Sequence, residues 1–235
     1  MDAIVHEMEP VTLVGGGPCD DRDIRMAVEI APIVVAADGG AGRALACDLM
    51  PKAVIGDLDS IDQGTRRRLG RRVHRIAEQD TTDFDKALRH IIAPLVIGVG
   101  FSGGRLDHQL AVLNGLVGNP DKRCVLIGAQ DIVFLAPSVL ELDLPVGSRI
   151  SLFPMARMRG TSQGLRWAID GVDFAPDGRI GTSNEVSGPV RLSFEAATML
   201  VILPVAALAV VVAQLRRPSA RWSVHAEPYK DPRPE

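Results

Sequence analysis

Between residues 11 and 135 the chain repeats one pattern. A short, β-branched apolar run stops abruptly at a glycine-rich or polar segment, and a stretch of helical composition follows. The runs are 11–14, 33–35, 53–55, 95–97, 124–127 and 132–135, and the segments beyond them read GGGP, ADGG, GDLDS, GFSGG, GAQD and AP. Uninterrupted apolar runs alternating with helical stretches predict a mostly parallel, doubly wound α/β sheet buried on both faces. In such a sheet ligands bind beyond the carboxyl ends of the strands, where this chain places its glycines and acids.

From Val139 onward the period changes to two. Leu140, Leu142 and Leu144 alternate with Glu141 and Asp143, and Val190, Leu192 and Phe194 alternate with Arg191, Ser193 and Glu195. Half-buried strands separated by turn-rich segments predict a small antiparallel β-sandwich or barrel. The expected organisation is an α/β domain over 1–137, a β-sandwich over 138–215 and a flexible, proline-rich tail over 216–235, with the boundary near Pro137. Residues 196–213 are uncharged and long enough to span a bilayer on length alone, but Pro204 divides them. A last strand over 199–203 and a short helix after Pro204 is the expectation, since proline is tolerated at a helix start.

The 235 residues are 46% hydrophobic and 23% charged with a net charge of -3, which suits a soluble globular chain and offers no field to gather nucleic acid. The cluster Arg66, Arg67, Arg68, Arg71 and Arg72 reads as a solvated helix face. Cys19, Cys47 and Cys124 form no CxxC pair, so reduced thiols in a cytoplasmic setting are expected. The amino terminus is acidic where an export signal would be basic. His6, His74, His90 and His225 stand in no ligand-like spacing.

Gly56-Asp57-Leu58-Asp59-Ser60 sets two carboxylates two residues apart at a strand end, a hard-oxygen pair that suits Mg²⁺ or, alternatively, a solvated turn. In Gln79-Asp80-Thr81-Thr82-Asp83-Phe84-Asp85-Lys86, Thr82 can cap a helix that opens with Asp83 and Asp85. Asp80, Asp83 and Lys86 could share one face of it, opposite Ala87, Leu88, Ile91 and Ile92. Gly100 to His108 (GFSGGRLDH) combines glycines that admit phosphate oxygens with Arg105, Asp107 and His108. Gly15-Gly16-Gly17-Pro18 and Ala37-Asp38-Gly39-Gly40 add two more such loops. The dinucleotide fingerprint fails at Asp20, and no P-loop GK[ST] occurs.

These motifs in this order, ADGGA, GDLDS, QDTTDFDKAL, GGRLDH and then SLFP, GLRW and TSNE, resemble the thiamine pyrophosphokinase family over most of residues 11–204. The resemblance implies an ATP- and Mg²⁺-binding α/β domain, a β-sandwich that helps bind thiamine, and a homodimer. It implies Asp38, Asp57, Asp59 and Asp83 around Mg²⁺, and Ser102, Gly103, Gly104, Arg105 and Asp107 near ATP, with Gly39, Gly40, Lys86 and His108 on the same side. Gln79, Trp167, Ser183 and Asn184 fall to thiamine, although Trp167 also reads as a core aromatic and Asn184 as a turn residue. Asp57, Asp59, Asp80, Asp83 and Arg105 are the candidate catalytic groups. Gly42 departs from the family, which usually continues ADGGA with Asn. A magnesium-dependent phosphohydrolase and a non-catalytic nucleotide- or thiamine-binding regulator stand as alternatives.

Overall fold

In the computed structural model, which describes residues 3–78, 80–218, 220 and 222, the chain divides into two compact units, Met1–Ala129 and Gln130–Glu235.

The first unit runs β1 (Val5–His6), β2 (Val11–Val14), α1 (Asp21–Ile30), β3 (Ile33–Ala37), α2 (Gly40–Ala46), β4 (Ala53–Gly56), α3 (Gln63–Leu69), β5 (Val73–Arg75), α4 (Asp83–Arg89), β6 (Ile91–Ile92), β7 (Val96–Val99), α5 (Leu106–Gly118) and β8 (Cys124–Ile127). Its main sheet is parallel throughout, in the order β8-β7-β2-β3-β4-β5. Every residue of β2, β4, β7 and β8 is buried, which is why those strands read as unbroken apolar runs. The chain winds outward from β2 through β3, β4 and β5, then crosses to β7 on the other side of β2. That reversal opens a crevice beyond the ends of β2 and β7, where the order of such a sheet favours a ligand. Thr12, buried within β2, has its hydroxyl satisfied by the Ala31 carbonyl at 2.6 Å.

Three short strands escaped the hydrophobic pattern. Among the described residues β5 pairs only with β4 and is half-exposed, so its Val-His-Arg sequence carries no apolar run. β1 and β6 make a separate two-residue parallel ladder, Val5 opposite Ile91 and His6 opposite Ile92. Ile92, expected in the buried face of α4, lies beyond the helix in β6 and is 46% exposed. The arginines of α3 and of the turn after it are exposed, and Leu69 alone of that helix is buried.

The second unit contains β9 (Asp131–Leu135), β10 (Val139–Leu142), β11 (Arg149–Pro154), β12 (Gly160–Leu165), β13 (Thr182–Phe194), β14 (Met199–Pro204) and α6 (Leu208–Leu215). Its strands are antiparallel in the order β10-β13-β11-β14-β9, with β12 also on β13. The period-two segments pair with each other, Leu140 opposite Leu192 and Leu142 opposite Val190. The first half of β13 pairs with β11 and its second half with β10 and β12, so one strand serves both layers.

The run 132–135, expected to end the parallel series, is β9 and pairs antiparallel with β14. Only residues 128–130 separate it from β8, and a parallel crossover needs roughly a dozen residues. The division accordingly falls between Ala129 and Gln130, ahead of Pro137. The apolar stretch breaks at Pro204 into β14, a turn of 3-10 helix (Val205–Ala207) and α6. Among the described residues no helix is long and apolar enough to cross a membrane. Most of the expected tail lies outside the described residues, but Ala220 is 2% exposed and the Trp222 indole N–H donates to the Ala136 carbonyl at 2.7 Å.

Gly42 sits inside α2, exposed, and a Cβ placed there would meet nothing within 4 Å. Gly42→Ala should therefore stabilise the fold by about 0.5–1 kcal/mol, through helix propensity alone. A thermal melt showing a raised midpoint agrees with this account; a lowered midpoint means that the space is not open.

Candidate active site

β3 ends in a turn that Asp38 makes possible. Its φ of 40° lies in the left-handed region, which aspartate tolerates better than most residues. Its N–H donates to the Ile55 carbonyl at 3.1 Å, and its own carbonyl accepts from Ala41, the start of α2. Gly40 is required here because a Cβ would lie 2.0 Å from the Val14 carbonyl oxygen. Gly56, at the end of β4, is pressed in the same way, its missing Cβ falling 2.9 Å from the Cβ of Asp38 and 3.0 Å from Asp83 Oδ1.

The next turn is fixed by a hydrophobic anchor. Leu58 has a φ of 69°, a conformation costing a bulky residue about 1–2 kcal/mol. Its side chain is 6% exposed, packed among Ala36, Ala41, Leu45, Val54 and Leu69. Burying a leucine contributes roughly 1.5–3 kcal/mol, enough to offset that strain. With Leu58 held inward, the flanking carboxylates of Asp57 and Asp59 join Asp38: one oxygen from each of the three lies within 4.8 Å of the others. Asp57 Oδ1 accepts the Asp59 N–H at 3.3 Å, and Asp38 Oδ2 accepts the Ser60 N–H at 3.2 Å. Asp38 Oδ1 is buried and has no hydrogen-bond partner among the described residues.

A buried carboxylate oxygen without a donor is costly, and three carboxylates at this separation repel one another. At an effective dielectric of about 20, each fully ionised pair costs on the order of 3 kcal/mol, less where water screens the exposed Asp59. Burial accordingly pushes the Asp38 carboxyl above its usual range, with the Ser60 bond offsetting part of the shift and Asp59 and Asp57 adding to it. A hard divalent cation is the partner that this oxygen donor set fits.

Asp83 opens α4, whose N-cap is Thr82 as its sequence foretold, the hydroxyl accepting the Asp85 N–H at 3.3 Å. Asp83 was expected in the metal shell. Its Oδ1 accepts the Asp57 N–H at 3.3 Å and stands 3.6 Å from Lys86 Nζ, beside the cluster of Asp38, Asp57 and Asp59. Burial raises its carboxyl, with Asp38 and Asp57 adding to the rise and Lys86 opposing it. Lys86, expected on the polar face of α4, has a side chain 2% exposed, its ammonium 3.8 Å from Asp57 Oδ2.

A cleft of ≈ 780 Å³ adjoins these groups, within the roughly 300–1,000 Å³ of ordinary ligand pockets. Of the expected residues, Asp38, Gly39, Asp57, Asp83, Lys86, Gly103, Gly104, Arg105 and His108 line it. Gly103 and Gly104 both have positive φ, 82° and 73°, a conformation that favours glycine. Arg105 is exposed and paired with Asp107, Nη2 to Oδ2 at 2.6 Å, which holds the Asp107 carboxyl at about 2. Asp80 is exposed, and its neighbours Thr81 and Thr82 form the cleft wall in its place. Gln79 lies outside the described residues. The sequence reading missed Phe84 and Phe101, whose rings meet edge-to-face with centroids 4.9 Å apart and line the same cleft. The apolar Phe101 inside an otherwise glycine-rich loop was the available signal.

In the second unit Trp167 is 54% exposed, which rules out the core reading, and the Arg166 guanidinium lies 4.8 Å from its ring centroid. Asn184 is not in a turn but inside β13 and 3% exposed. Its side chain accepts from Trp167 N–H at 3.2 Å and donates to the Trp167 carbonyl at 2.7 Å, clamping the backbone that presents the indole. Ser183, next to it, is exposed and opposite Ser151.

Residues 24–127 match the family model described as "Thiamin pyrophosphokinase, catalytic domain", and residues 139–199 match "Thiamin pyrophosphokinase, vitamin B1 binding domain". "Thiamine pyrophosphokinase 1" of Arabidopsis thaliana is 28% identical over 193 residues, 67% of this chain and 72% of the relative. "Thiamine pyrophosphokinase" of Bacillus subtilis is 32% identical over 111 residues, 44% of this chain and 52% of that protein. The crystal structure of thiamin pyrophosphokinase from Geobacillus thermodenitrificans superposes with a TM-score of 0.67 at 21% identity, covering 83% of this chain and 96% of that one. The yeast thiamin pyrophosphokinase structure gives 0.67 at 15% identity, covering 92% and 94%, a likeness of fold. Neither the hydrolase nor the regulator alternative gains support from these matches.

Because the folded state raises the Asp38 carboxyl, ionising it costs stability: stability falls as pH rises from the ordinary carboxylate range through the raised value, and the full cost persists above it. Asp38→Asn removes that cost. In chelator, the variant should melt higher than wild type at about pH 7, with the difference closing as pH falls toward about 4. A variant that melts lower at neutral pH contradicts the strain assigned to this carboxylate.

Proposed function

The chain belongs to the thiamin pyrophosphokinase family, and from that premise we propose that it transfers the diphosphoryl group of ATP to the hydroxyl of thiamine, giving thiamine diphosphate and AMP. The observation that carries this reading is the carboxylate cluster of Asp38, Asp57 and Asp59, with one buried oxygen unpartnered, beside a glycine-lined cleft. Asp38, Asp57 and Asp59 would hold Mg²⁺, which when bound offsets charge on the phosphate oxygens and orients them.

The residues of the chain supply positioning and electrostatics, which carry most of the acceleration in a loose phosphoryl transfer. The backbone of Gly103 and Gly104, without side chains, admits the phosphates. Arg105 exchanges its exposed partner Asp107 for phosphate oxygens, a charge-assisted contact. Asp83, held by Lys86 and by the Asp57 N–H, orients the thiamine hydroxyl toward the β-phosphorus. The bond formed joins that hydroxyl oxygen to the β-phosphorus, the bond broken links the β-phosphorus to the α,β-bridging oxygen, the electron pair leaves with AMP, and the hydroxyl proton is released to solvent. Phe84 and Phe101 give the cleft an apolar wall that limits water.

On the thiamine side, Trp167 offers an exposed aromatic face, Arg166 adds a cation beside it, and Asn184 fixes the backbone beneath. Ser183 supplies a hydroxyl next to Asn184. A homodimer and a cytoplasmic setting complete the reading, supported by the family resemblance and by three unpaired cysteines.

The test follows AMP and thiamine diphosphate together in ATP and Mg²⁺, with and without thiamine, for wild type and Asp57→Ala. Thiamine-dependent AMP matched by thiamine diphosphate, falling at least about 10²-fold in the variant, is the expected result. Thiamine-independent phosphate release overturns it in favour of a hydrolase, and binding without turnover overturns it in favour of a regulator.

A further inference from the structure

A cation already stands at the wall of the cleft. Lysine is almost never fully buried without a charge partner, and the side chain of Lys86 is 2% exposed. Its Nζ lies 3.8 Å from Asp57 Oδ2 and 3.6 Å from Asp83 Oδ1, too far for strong hydrogen bonds, so it acts as a point charge between the two. Asp57 divides its oxygens: Oδ2 faces this ammonium, and Oδ1 accepts the N–H of Asp59 in the turn that carries the metal cluster. The cation is fixed from behind by its own helix, because the Lys86 N–H donates to the Thr82 carbonyl at 2.9 Å and its carbonyl bonds the buried His90 ring at 2.7 Å. Centres that transfer phosphoryl groups with two metal ions hold their cations about 3.5–4 Å apart. Here an ammonium lies between the carboxylates of Asp57 and Asp83, and Asp57 also belongs to the cluster with Asp38 and Asp59.

We propose that Lys86 is a built-in second cation: it takes the place between Asp57 and Asp83 that a second divalent ion would otherwise fill, and so limits this cluster to one exchangeable ion on the side of Asp38 and Asp59. The inference rests on the metal reading above and adds the number of ions and the residue that sets it. Lys86 is then a positioning residue, acting through the carboxylates it separates, rather than a direct ligand of the nucleotide. Lys86→Met, close in length and uncharged, leaves Asp57 and Asp83 without a counter-charge and opens the second position. Lys86→Arg keeps the charge and keeps it closed.

The experiment counts Mn²⁺ bound per chain in the absence of nucleotide, from the electron paramagnetic resonance of the free ion during a titration, with folding checked by a melt. The expected counts are one for wild type, two for Lys86→Met and one for Lys86→Arg. A folded Lys86→Met that still binds one ion overturns the inference while leaving the metal reading standing. Two ions on wild type overturn it without any variant, and that count remains decisive should Lys86→Met not fold. No binding to wild type at millimolar Mn²⁺ brings down the metal reading itself, and the inference with it.

Discussion

Like charge crowded at the ends of two neighbouring strands is the constraint around which the first unit is built. Three carboxylates within 4.8 Å of one another would separate in a flexible chain. They stay together because the backbone leaves them no alternative. β3 and β4 are adjacent and parallel, Ala37 lies opposite Ile55, and Asp38 donates its N–H to the Ile55 carbonyl. Gly56 lets Asp38 and Asp83 approach as no other residue would, and Leu58 holds the intervening turn by burying its side chain under α2 and α3. The site is strained by design in the sense that a local cost is offset by packing elsewhere, a common condition of functional loops.

The cleft follows from the same topology. A sheet that winds outward from β2 and then reverses to β7 sends two glycine-rich loops from neighbouring strand ends to one side of the cleft. A Cβ on Gly15 would lie 2.5 Å from the Gly100 carbonyl oxygen, and one on Gly17 would lie 2.7 Å from it, so the two loops can run side by side only without side chains. Carboxylates that follow β3 and β4 therefore line a cleft together with the glycines of these loops, Arg105 and the Phe101 ring, an arrangement suited to a polyphosphate and its counter-ion.

Much of this was legible in the sequence because each strand ends where its apolar run ends, and the residues next in line are those that gather at the carboxylate cluster and the cleft: Asp38 after β3, Asp57 and Asp59 after β4, Gly103 to Arg105 after β7. Composition could not reveal edges. β5 is a strand only because β4 lies beside it, and β9 has a parallel-type apolar run although its three-residue connection permits only an antiparallel course. Side chains whose role depends on what packs over them were also hidden. Helical spacing groups Lys86 with Asp83 on a polar face, but that face is turned toward the strand ends rather than to solvent. Asn184 reads as a turn residue by type, and only its place opposite Ile150 inside β13 reveals the clamp on Trp167.

The central claim is that the first unit holds a cation site assembled in advance of its ligand, at a cost in charge repulsion that a divalent ion removes. The most direct measurement is the thermal midpoint of the metal-free protein as Mg²⁺ is raised through the millimolar range, against NaCl of matched ionic strength. A ligand that binds only the folded state raises stability with its concentration, so the account predicts a midpoint that climbs with Mg²⁺ and does not climb with NaCl. A midpoint that responds equally to both salts, or to neither, contradicts it.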